Sequence, residues 1–121
     1  MRHVLAWDLG TSGAKAGLVT AEGQVLGVEF EPTRVNLLPG GGAEQSPEDW
    51  WRALATATQR LLSRQLASRA SIAAVGVTAQ WSGTVAVDRA GHALHPAVIW
   101  MDSRGAHRSR QITGGMLRIA G

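Results

Sequence analysis

Apolar residues recur with strand-like spacing in the first third of the chain. Residues 3 to 9 form a short apolar run, and residues 14 to 20 and 24 to 30 are two further segments of strand character. The triplet Ala21-Glu22-Gly23 suits a hairpin turn, because glycine adopts a positive φ without steric cost. The pattern therefore predicts three strands joined by tight turns.

The middle of the chain predicts a loop, a helix and a buried strand. The stretch from Pro32 to Gln45 contains two prolines and three consecutive glycines, so it is predicted to be a loop. A helix is predicted from residue 47 to about residue 66, because Ser46 can cap it and apolar residues follow at helical spacing. Residues 72 to 79 form a nearly continuous apolar run, which is typical of a central strand in a covered sheet.

The last third of the chain predicts a hairpin and a helical tail. Residues 84 to 88 and 93 to 100 have strand character on either side of an Asp-Arg-Ala-Gly turn. A helix is expected to begin at Ser103 and to loosen at Gly114-Gly115. Strands, a helix, a strand and a hairpin in this order predict an α/β domain, with antiparallel strands leading into a helix crossover.

The tryptophans fall into two groups. Four of them occupy strand or helical positions and are expected to belong to the core: Trp7, Trp50, Trp51 and Trp100. Trp81 follows the apolar strand and adjoins Gly83, so packing and the lining of a ligand pocket both stay open for its ring.

Composition narrows the classes of protein. With 121 residues, of which 45% are hydrophobic, the chain has the size of one domain and can bury a core. It contains no apolar run of about 18 residues, no secretory signal pattern and no cysteine, so we expect a cytoplasmic protein with no membrane partner and no thiolate metal site. The net charge is +3, yet the basic residues are scattered. The nearest cluster contains no aromatic residue, so no nucleic-acid partner is expected.

A glycine-rich turn directly after the first predicted strand has the clearest chemical meaning. It runs Asp8-Leu9-Gly10-Thr11-Ser12-Gly13-Ala14-Lys15. Such a turn directs backbone N–H groups and hydroxyls at one spot, which suits phosphate oxygens, and a carboxylate fits there when Mg²⁺ lies between it and the phosphates. A plain hairpin turn, with Asp8 accepting from backbone amides, stays open as an alternative. The segment is neither a P-loop nor a dinucleotide-binding turn, because it lacks the Gly-Lys-Ser/Thr ending and leads into a strand.

Three segments in colinear order resemble one protein family. The first, DLGTSGAKAGLV, is similar to the first phosphate motif of the actin-like ATPase superfamily. The second, EQSPEDWW, and the third, GVTAQWSGTVAVDRAGHALHPAVIWMDSRG, resemble segments of the FGGY family of carbohydrate kinases, most closely its xylulokinase-type members. The likeness extends from residue 3 to about residue 110.

The resemblance implies ATP and Mg²⁺ as cofactors and assigns roles to particular residues. Asp8 would lie near the γ-phosphate and hold Mg²⁺ through water. The phosphate loop would consist of Gly10, Thr11, Ser12 and Gly13, with Lys15 as a basic residue in the same turn. The sugar would contact Gln80, Trp81, Ser82, Gly83, Asp102 and Arg104. Without the resemblance, Asp102 and Arg104 would read as a surface ion pair.

Two departures from the family pattern affect the sugar side. Trp81-Ser82 stands where xylulokinases have Met-His, and Met101 replaces the Asn that precedes Asp102. Neither change touches the phosphate motif. The identity of the sugar therefore stays open.

The resemblance also implies that residues 1–121 are an incomplete domain. Chains of this family are several times longer, with two actin-like domains around a cleft. We expect the chain to form the N-terminal part of the first, actin-like (ribonuclease H-like) domain. Within it we predict a phosphate-loop hairpin at 3–30, a helix at about 47–66 and sugar-side strands at 72–104. The catalytic Asp that accepts the proton of the sugar hydroxyl would lie beyond residue 121, as would the second phosphate motif and the adenosine-binding segment.

These features lead to one functional hypothesis and two alternatives. The hypothesis is ATP-dependent phosphorylation of a hydroxyl of a small sugar, either a ketose such as xylulose or a related polyol. The isolated chain is expected to be inactive, because the base is missing, and to self-associate through exposed apolar surface. The alternatives are a truncated inactive remnant of such a kinase and a non-kinase, actin-like nucleotide-binding module.

Overall fold

Two β-sheets and a long helix organise the part of the chain that the structure describes. The structure, a computed structural model, describes residues 1–114. Its strands and helices are β1 His3–Leu9, β2 Gly13–Thr20, β3 Val25–Pro32, β4 Asn36–Leu38, β5 Gly42–Gln45, α1 Pro47–Ser63, β6 Ile72–Ala79, β7 Ala97–Val98 and α2 Ala106–Thr113. The predicted α/β class is confirmed.

The main sheet has four strands in the order β3-β2-β1-β6. β1 pairs antiparallel with β2 and parallel with β6, and β2 pairs antiparallel with β3. The turn between β2 and β3 closes with a hydrogen bond of 3.0 Å from the Gly23 N–H to the Thr20 carbonyl, and Gly23 has a φ of 91°. The predicted meander of three strands is thus confirmed, and the crossover through α1 returns the chain parallel to β1.

Helix α1 covers one face of this sheet. Its first turn is capped by Ser46, whose hydroxyl accepts the Asp49 N–H at 3.2 Å, and Pro47 occupies the start of the helix. One stripe of the helix is buried, namely Ala53, Leu54, Ala57 and Leu61. This stripe packs on Leu5, Ala14, Ala16 and Leu18 of β1 and β2, which form the core. The helix ends at Ser63, a little before the predicted end, and Gln65 then adopts a left-handed φ of 53°.

The loop predicted from Pro32 to Gln45 is wrong, because the segment forms part of a second sheet. That sheet has three antiparallel strands in the order β4-β5-β7. β4 and β5 make a hairpin around the short 3-10 turn Pro39–Gly41, in which two consecutive glycines have positive φ. The glycines that suggested a loop therefore form the turn of a hairpin whose strands are only three and four residues long.

The prediction of a covered central strand at residues 72 to 79 is also wrong in one respect. The strand exists as β6, but it lies at the edge of the main sheet, and all of its residues after Ile72 are exposed. Helix α1 lies over β2 and β3, so no described element covers β6. An apolar run alone does not distinguish a central strand from an edge strand.

The hairpin predicted after β6 is only partly regular. Of the predicted strands at 84–88 and 93–100, the structure keeps β7 and two isolated bridges, Thr84 with Val98 and Val87 with Ala93. The turn between them is present, since the Gly91 N–H donates to the Asp88 carbonyl at 3.1 Å. The remaining residues of this segment form irregular, mostly exposed backbone.

Four tryptophans were expected in the core, but two of them are only half-buried and the other two are exposed. Trp7 and Trp50 are half-buried, whereas Trp51 and Trp100 are exposed. The ring of Trp51 meets Trp7 edge-on, with centroids 6.2 Å apart. For Trp81 the packing alternative is wrong, because its side chain is 74% exposed.

The described chain ends in the short helix α2. Gly114 is the C-cap of this helix, with a left-handed φ of 67°, and its N–H donates to the Arg110 carbonyl. The rest of the predicted tail, from Gly115 onward, lies outside the described residues. Neither α2 nor any other helix within residues 1–114 is long and apolar enough to span a membrane.

Candidate phosphate and substrate site

The candidate site lies where β1 and β6 end. These two strands run parallel, so the turn that follows β1 and the segment that follows β6 emerge at the same end of the sheet. The Gln80 N–H donates to the Leu9 carbonyl at 2.8 Å, which fixes the two ends side by side. The carboxyl ends of parallel strands are the usual location of ligand sites in α/β folds.

Asp8 and Lys15 face each other across β1 and β2 at this end. They are cross-strand partners, and the Lys15 ammonium lies 3.1 Å from the Asp8 carboxylate. Both side chains are about half exposed, so the pair contributes at most about 1 kcal/mol to stability. Both charges are therefore available to a ligand at low cost.

The turn between them, residues 10 to 13, has two unused backbone donors. Within residues 1–114 the amide N–H groups of Thr11 and Ser12 donate to no acceptor, whereas the Gly10 N–H donates to the Gly13 carbonyl at 3.0 Å. Successive free amides in a turn form a small concave site for an anion. The glycine at position 13 has a packing reason of its own, because a Cβ there would overlap the Glu31 carbonyl oxygen.

Thr11 supplies no free hydroxyl, contrary to its predicted role as a side-chain donor to phosphate. Its Oγ1 donates to Gln80 Oε1 at 3.1 Å and accepts from Trp100 Nε1 at 2.9 Å. A hydroxyl has one hydrogen to donate, so the side chain of Thr11 is committed to these partners. Ser12, which is exposed, keeps its hydroxyl in solvent.

Gln45 on β5 was not singled out from the sequence, although it joins the parts of the site. It is 0% exposed, and its Nε2 donates to the Thr11 carbonyl at 2.9 Å. Its Oε1 accepts from Gln80 Nε2 at 2.8 Å. Gln45 belongs to the segment EQSPEDWW, which resembles the family, but burial of its amide side chain follows only from the tertiary contacts.

Asp102 and Arg104 lie in an ion-pair cluster with Glu44 of β5. Arg104 Nη2 is 2.6 Å from both the Asp102 and the Glu44 carboxylates. Asp102 also accepts the Ala43 N–H at 2.9 Å, and its side chain is 6% exposed. The hydrogen bond from Arg104, followed by that from Ala43, lowers the pKa of Asp102 to about 2. The two carboxylates in turn raise the pKa of Arg104.

The three residues that follow Gln80 extend into solvent. Trp81, Ser82 and Gly83 are all exposed, and Ser82 holds a left-handed φ of 53°. A non-glycine residue with positive φ is uncommon and costs backbone strain. A Cβ at Gly83 would meet no atom within 4 Å, so this backbone has open space beside it.

The residues present fit a Mg²⁺-bound phosphate better than a directly bound metal ion. Within residues 1–114 no three His, Asp or Glu side chains come together as a metal site. Asp8 alone offers a carboxylate beside the free amides of the turn, which suits a Mg²⁺ held through water and phosphate oxygens. The donor set therefore agrees with the predicted chemistry.

Comparison with known proteins identifies the family. The family model described as the FGGY family of carbohydrate kinases, N-terminal domain, matches residues 3–117. The chain belongs to this family. The predicted family and the predicted actin-like ATPase fold are thereby confirmed. Kinases of this family use ATP with a divalent metal.

Individual relatives of this FGGY chain include kinases for different acceptors. The chain is 34% identical to the xylulose kinase of Klebsiella pneumoniae, with 91% of this chain and 24% of the relative covered. It is 31% identical to the glycerol kinase of Synechocystis, with 93% and 23% covered. A crystal structure of a xyloylose kinase from Brucella ovis superposes with a TM-score of 0.89 at 27% identity, over 93% of this chain and 23% of that one. The chain thus spans about a quarter of the length of these relatives.

Proposed function

We propose that this chain supplies the first phosphate loop and part of the acceptor pocket for ATP-dependent phosphorylation of a hydroxyl of a small sugar or polyol. The observation behind this proposal is the pair of free amides at Thr11 and Ser12 between Asp8 and Lys15. Phosphoryl transfer depends mainly on positioning and on neutralising charge. Mg²⁺, which Asp8 would hold through water, would supply positive charge that offsets the charge of the phosphates.

On the phosphate side each group has a separate task. The two amides of the turn would bind phosphate oxygens, Asp8 would hold the water shell of Mg²⁺, and Lys15 would move from Asp8 to a phosphate oxygen. Its present ion pair with Asp8 is about half exposed to solvent and therefore weak, so the exchange costs little. Thr11 would serve through its backbone, since its hydroxyl is already bonded.

On the acceptor side the open residues are Trp81, Ser82 and Gly83, with Gln80 at their base. An exposed indole beside a glycine offers a flat apolar surface of the kind that sugars pack against. Thr11 bonds both Gln80 and Trp100, so we propose that the exposed ring of Trp100 adds to this surface. Asp102 and Arg104 are bonded to β5, so we propose that they shape the pocket through the segment they hold.

The acceptor is proposed as a chemical class and not as a single compound. Relatives are named as xylulose kinase and as glycerol kinase, and the Trp81-Ser82 pair differs from the xylulokinase pattern. We therefore propose a polyhydroxy acceptor of three to five carbons, about the range of these two substrates. The isolated chain would bind without turnover, because the family resemblance gives no residue here the role of the base.

A titration of the ¹⁵N-labelled chain with Mg²⁺–ATP tests the phosphate loop. We expect the amide signals of Thr11 and Ser12 to shift, with equal affinity for Mg²⁺–tripolyphosphate, because the adenosine contacts are expected outside this chain. Asp8→Asn should weaken binding about tenfold. Asp88→Asn, which removes a carboxylate bonded within its own turn, is the matched control and should leave the affinity unchanged.

The alternatives give different results in the same experiment. An inactive remnant would show no shift at residues 10 to 13. A non-kinase nucleotide-binding module would bind Mg²⁺–ATP, but xylulose and glycerol would leave the signals of residues 80 to 83 unchanged. Release of ADP by the isolated chain in the presence of either acceptor would contradict the proposed inactivity.

We further propose that the isolated chain self-associates through β6. This strand is an apolar sheet edge with seven exposed residues, and an unprotected edge pairs readily with another strand.

A further inference from the structure

Gln45 uses the full hydrogen-bonding capacity of its amide. The two hydrogens of its Nε2 have three acceptors within reach, the Thr11 carbonyl at 2.9 Å and, at 3.3 Å each, Thr33 Oγ1 and the Arg34 carbonyl. Its Oε1 accepts from Gln80 Nε2 at 2.8 Å and from Trp50 Nε1 at 3.2 Å. The indole N–H can only donate and a carbonyl can only accept, so these neighbours fix which end of the amide is which.

These partners belong to four different segments of the chain. They are the turn after β1, the connection between β3 and β4, the first turn of α1 and the segment after β6. Gln45 bonds both the turn, through Thr11, and the segment, through Gln80. Thr11 and Gln80 are also bonded directly, because the Thr11 hydroxyl donates to the Gln80 side chain.

The bond to the Thr11 carbonyl has a consequence for the adjacent amide. The peptide unit that joins Thr11 to Ser12 is planar and trans, so its C=O and its N–H point in opposite directions. A carbonyl held on the buried amide of Gln45 therefore directs the Ser12 N–H away from the protein interior. That N–H is one of the two free donors of the turn.

We propose that Gln45 is a positioning residue that orients the Thr11–Ser12 peptide for phosphate and fixes this turn relative to Gln80 on the acceptor side. The proposal rests on the proposed function of the turn. A buried apolar residue would fill the same volume, but it would leave the Thr11 carbonyl free to rotate. It would also leave Gln80 Nε2 without its acceptor.

The experiment compares Gln45→Glu and Gln45→Met with Thr20→Val. The Glu variant keeps the shape and the acceptors but, as a carboxylate, cannot donate to the Thr11 carbonyl, and the Met variant removes both functions. Thr20 is buried at the opposite end of β2, and its hydroxyl accepts the Gln24 N–H, so Thr20→Val also removes a buried hydrogen bond. We expect both Gln45 variants to bind Mg²⁺–tripolyphosphate about tenfold more weakly, as misplacement of a binding group does. Thr20→Val should lower the melting temperature with unchanged affinity.

Two readouts separate this inference from the proposed function. The Ser12 amide and Thr11 carbonyl signals of the ligand-free chain should shift in Gln45→Glu and stay in place in Thr20→Val. In the unsubstituted chain, a scalar coupling across the hydrogen bond from Gln45 Nε2 to the Thr11 carbonyl should be detectable. Absence of Mg²⁺–tripolyphosphate binding by the unsubstituted chain would refute the proposed function, whereas these two readouts would still decide the role of Gln45. Unchanged signals in Gln45→Glu, a missing coupling, or full affinity in both variants would overturn it.

Discussion

The two outer strands of the main sheet are protected to very different degrees. On β3, Glu29 and Glu31 pair with Arg60 and Arg64 of α1, with the Arg64–Glu29 contact at 3.1 Å, and Pro32 ends the strand. β6 at the opposite edge contains no charged residue and no proline, and seven of its eight residues are exposed. Charges and prolines prevent an edge from pairing with another strand, and a flat apolar edge allows it.

The covered side at β3 stabilises the domain, whereas the exposed side at β6 leads to the residues proposed to bind ligands. Helix α1 lies over β2 and β3, and the two core clusters pack between α1 and strands β1 and β2. The side at β6 leads into residues 80–83, which we propose to contact the acceptor. Hydrogen bonds of Gln80 to Gln45 and of Asp102 to Ala43 join this side to β5. Ligand sites need groups that can still bond, so they are drawn from the less covered side.

Matched truncations on the two sides should have the largest and most unequal effects. Leu61→Ala removes a side chain of α1 that is 0% exposed against the sheet and should lower the free energy of unfolding by about 3 kcal/mol. Val77→Ala on β6 removes a side chain that is 66% exposed and should change it by less than about 0.5 kcal/mol. Urea unfolding of both variants measures the difference. A comparable loss for Val77→Ala would mean that β6 is covered in solution.

A charge on β6 should reduce self-association. We expect Val77→Lys to weaken association at least about tenfold, equal to about 1.4 kcal/mol, because a lysine on an edge strand opposes pairing. Val28→Lys adds the same charge to β3, where the other face of the sheet is exposed, and should have no such effect. Sedimentation equilibrium over a range of concentrations measures both. A monomer at every concentration in the unsubstituted chain would refute the association, and an equal effect of Val28→Lys would assign it to the sheet face.

The sequence predicted the β3 side well because its signals are local. The turn at Gly23 and the cap at Ser46 depend on neighbouring residues, and both occur as predicted. The spacing of apolar residues correctly predicted a helix here with one apolar face, which includes Leu54 and Leu61. It did not show that Trp51 lies beyond the edge of the covered surface, because periodicity defines a face and not what packs on it.

The β6 side and the site were predicted less completely, because they depend on contacts between distant segments. β5 is four residues long, shorter than a periodic pattern can reveal, and its glycines suggested a loop. Gln45 gains its meaning only from partners in other segments. The turn from Asp8 to Lys15 was recognisable from its glycines, whereas Gln80 and Asp102 were identified by family resemblance alone.

The smallest effect is expected from acid, which should loosen the β6 side first. The folded-state pKa of Asp102 is about 2, below the ordinary value of 3.8, because Arg104 and the Ala43 N–H bond its charged form. A carboxylate with a lowered pKa contributes stability that is complete above about pH 4 and is lost as the pH falls toward 2. Asp102→Asn should therefore reduce the pH dependence of the unfolding free energy between pH 4 and 2 by at most about one proton. In the unsubstituted chain over this range, amide exchange at Ala43 should accelerate before exchange at Leu18 in the core, as hydrogen-exchange NMR can measure. Loss of protection at both amides at the same pH would contradict the proposed difference between the two sides.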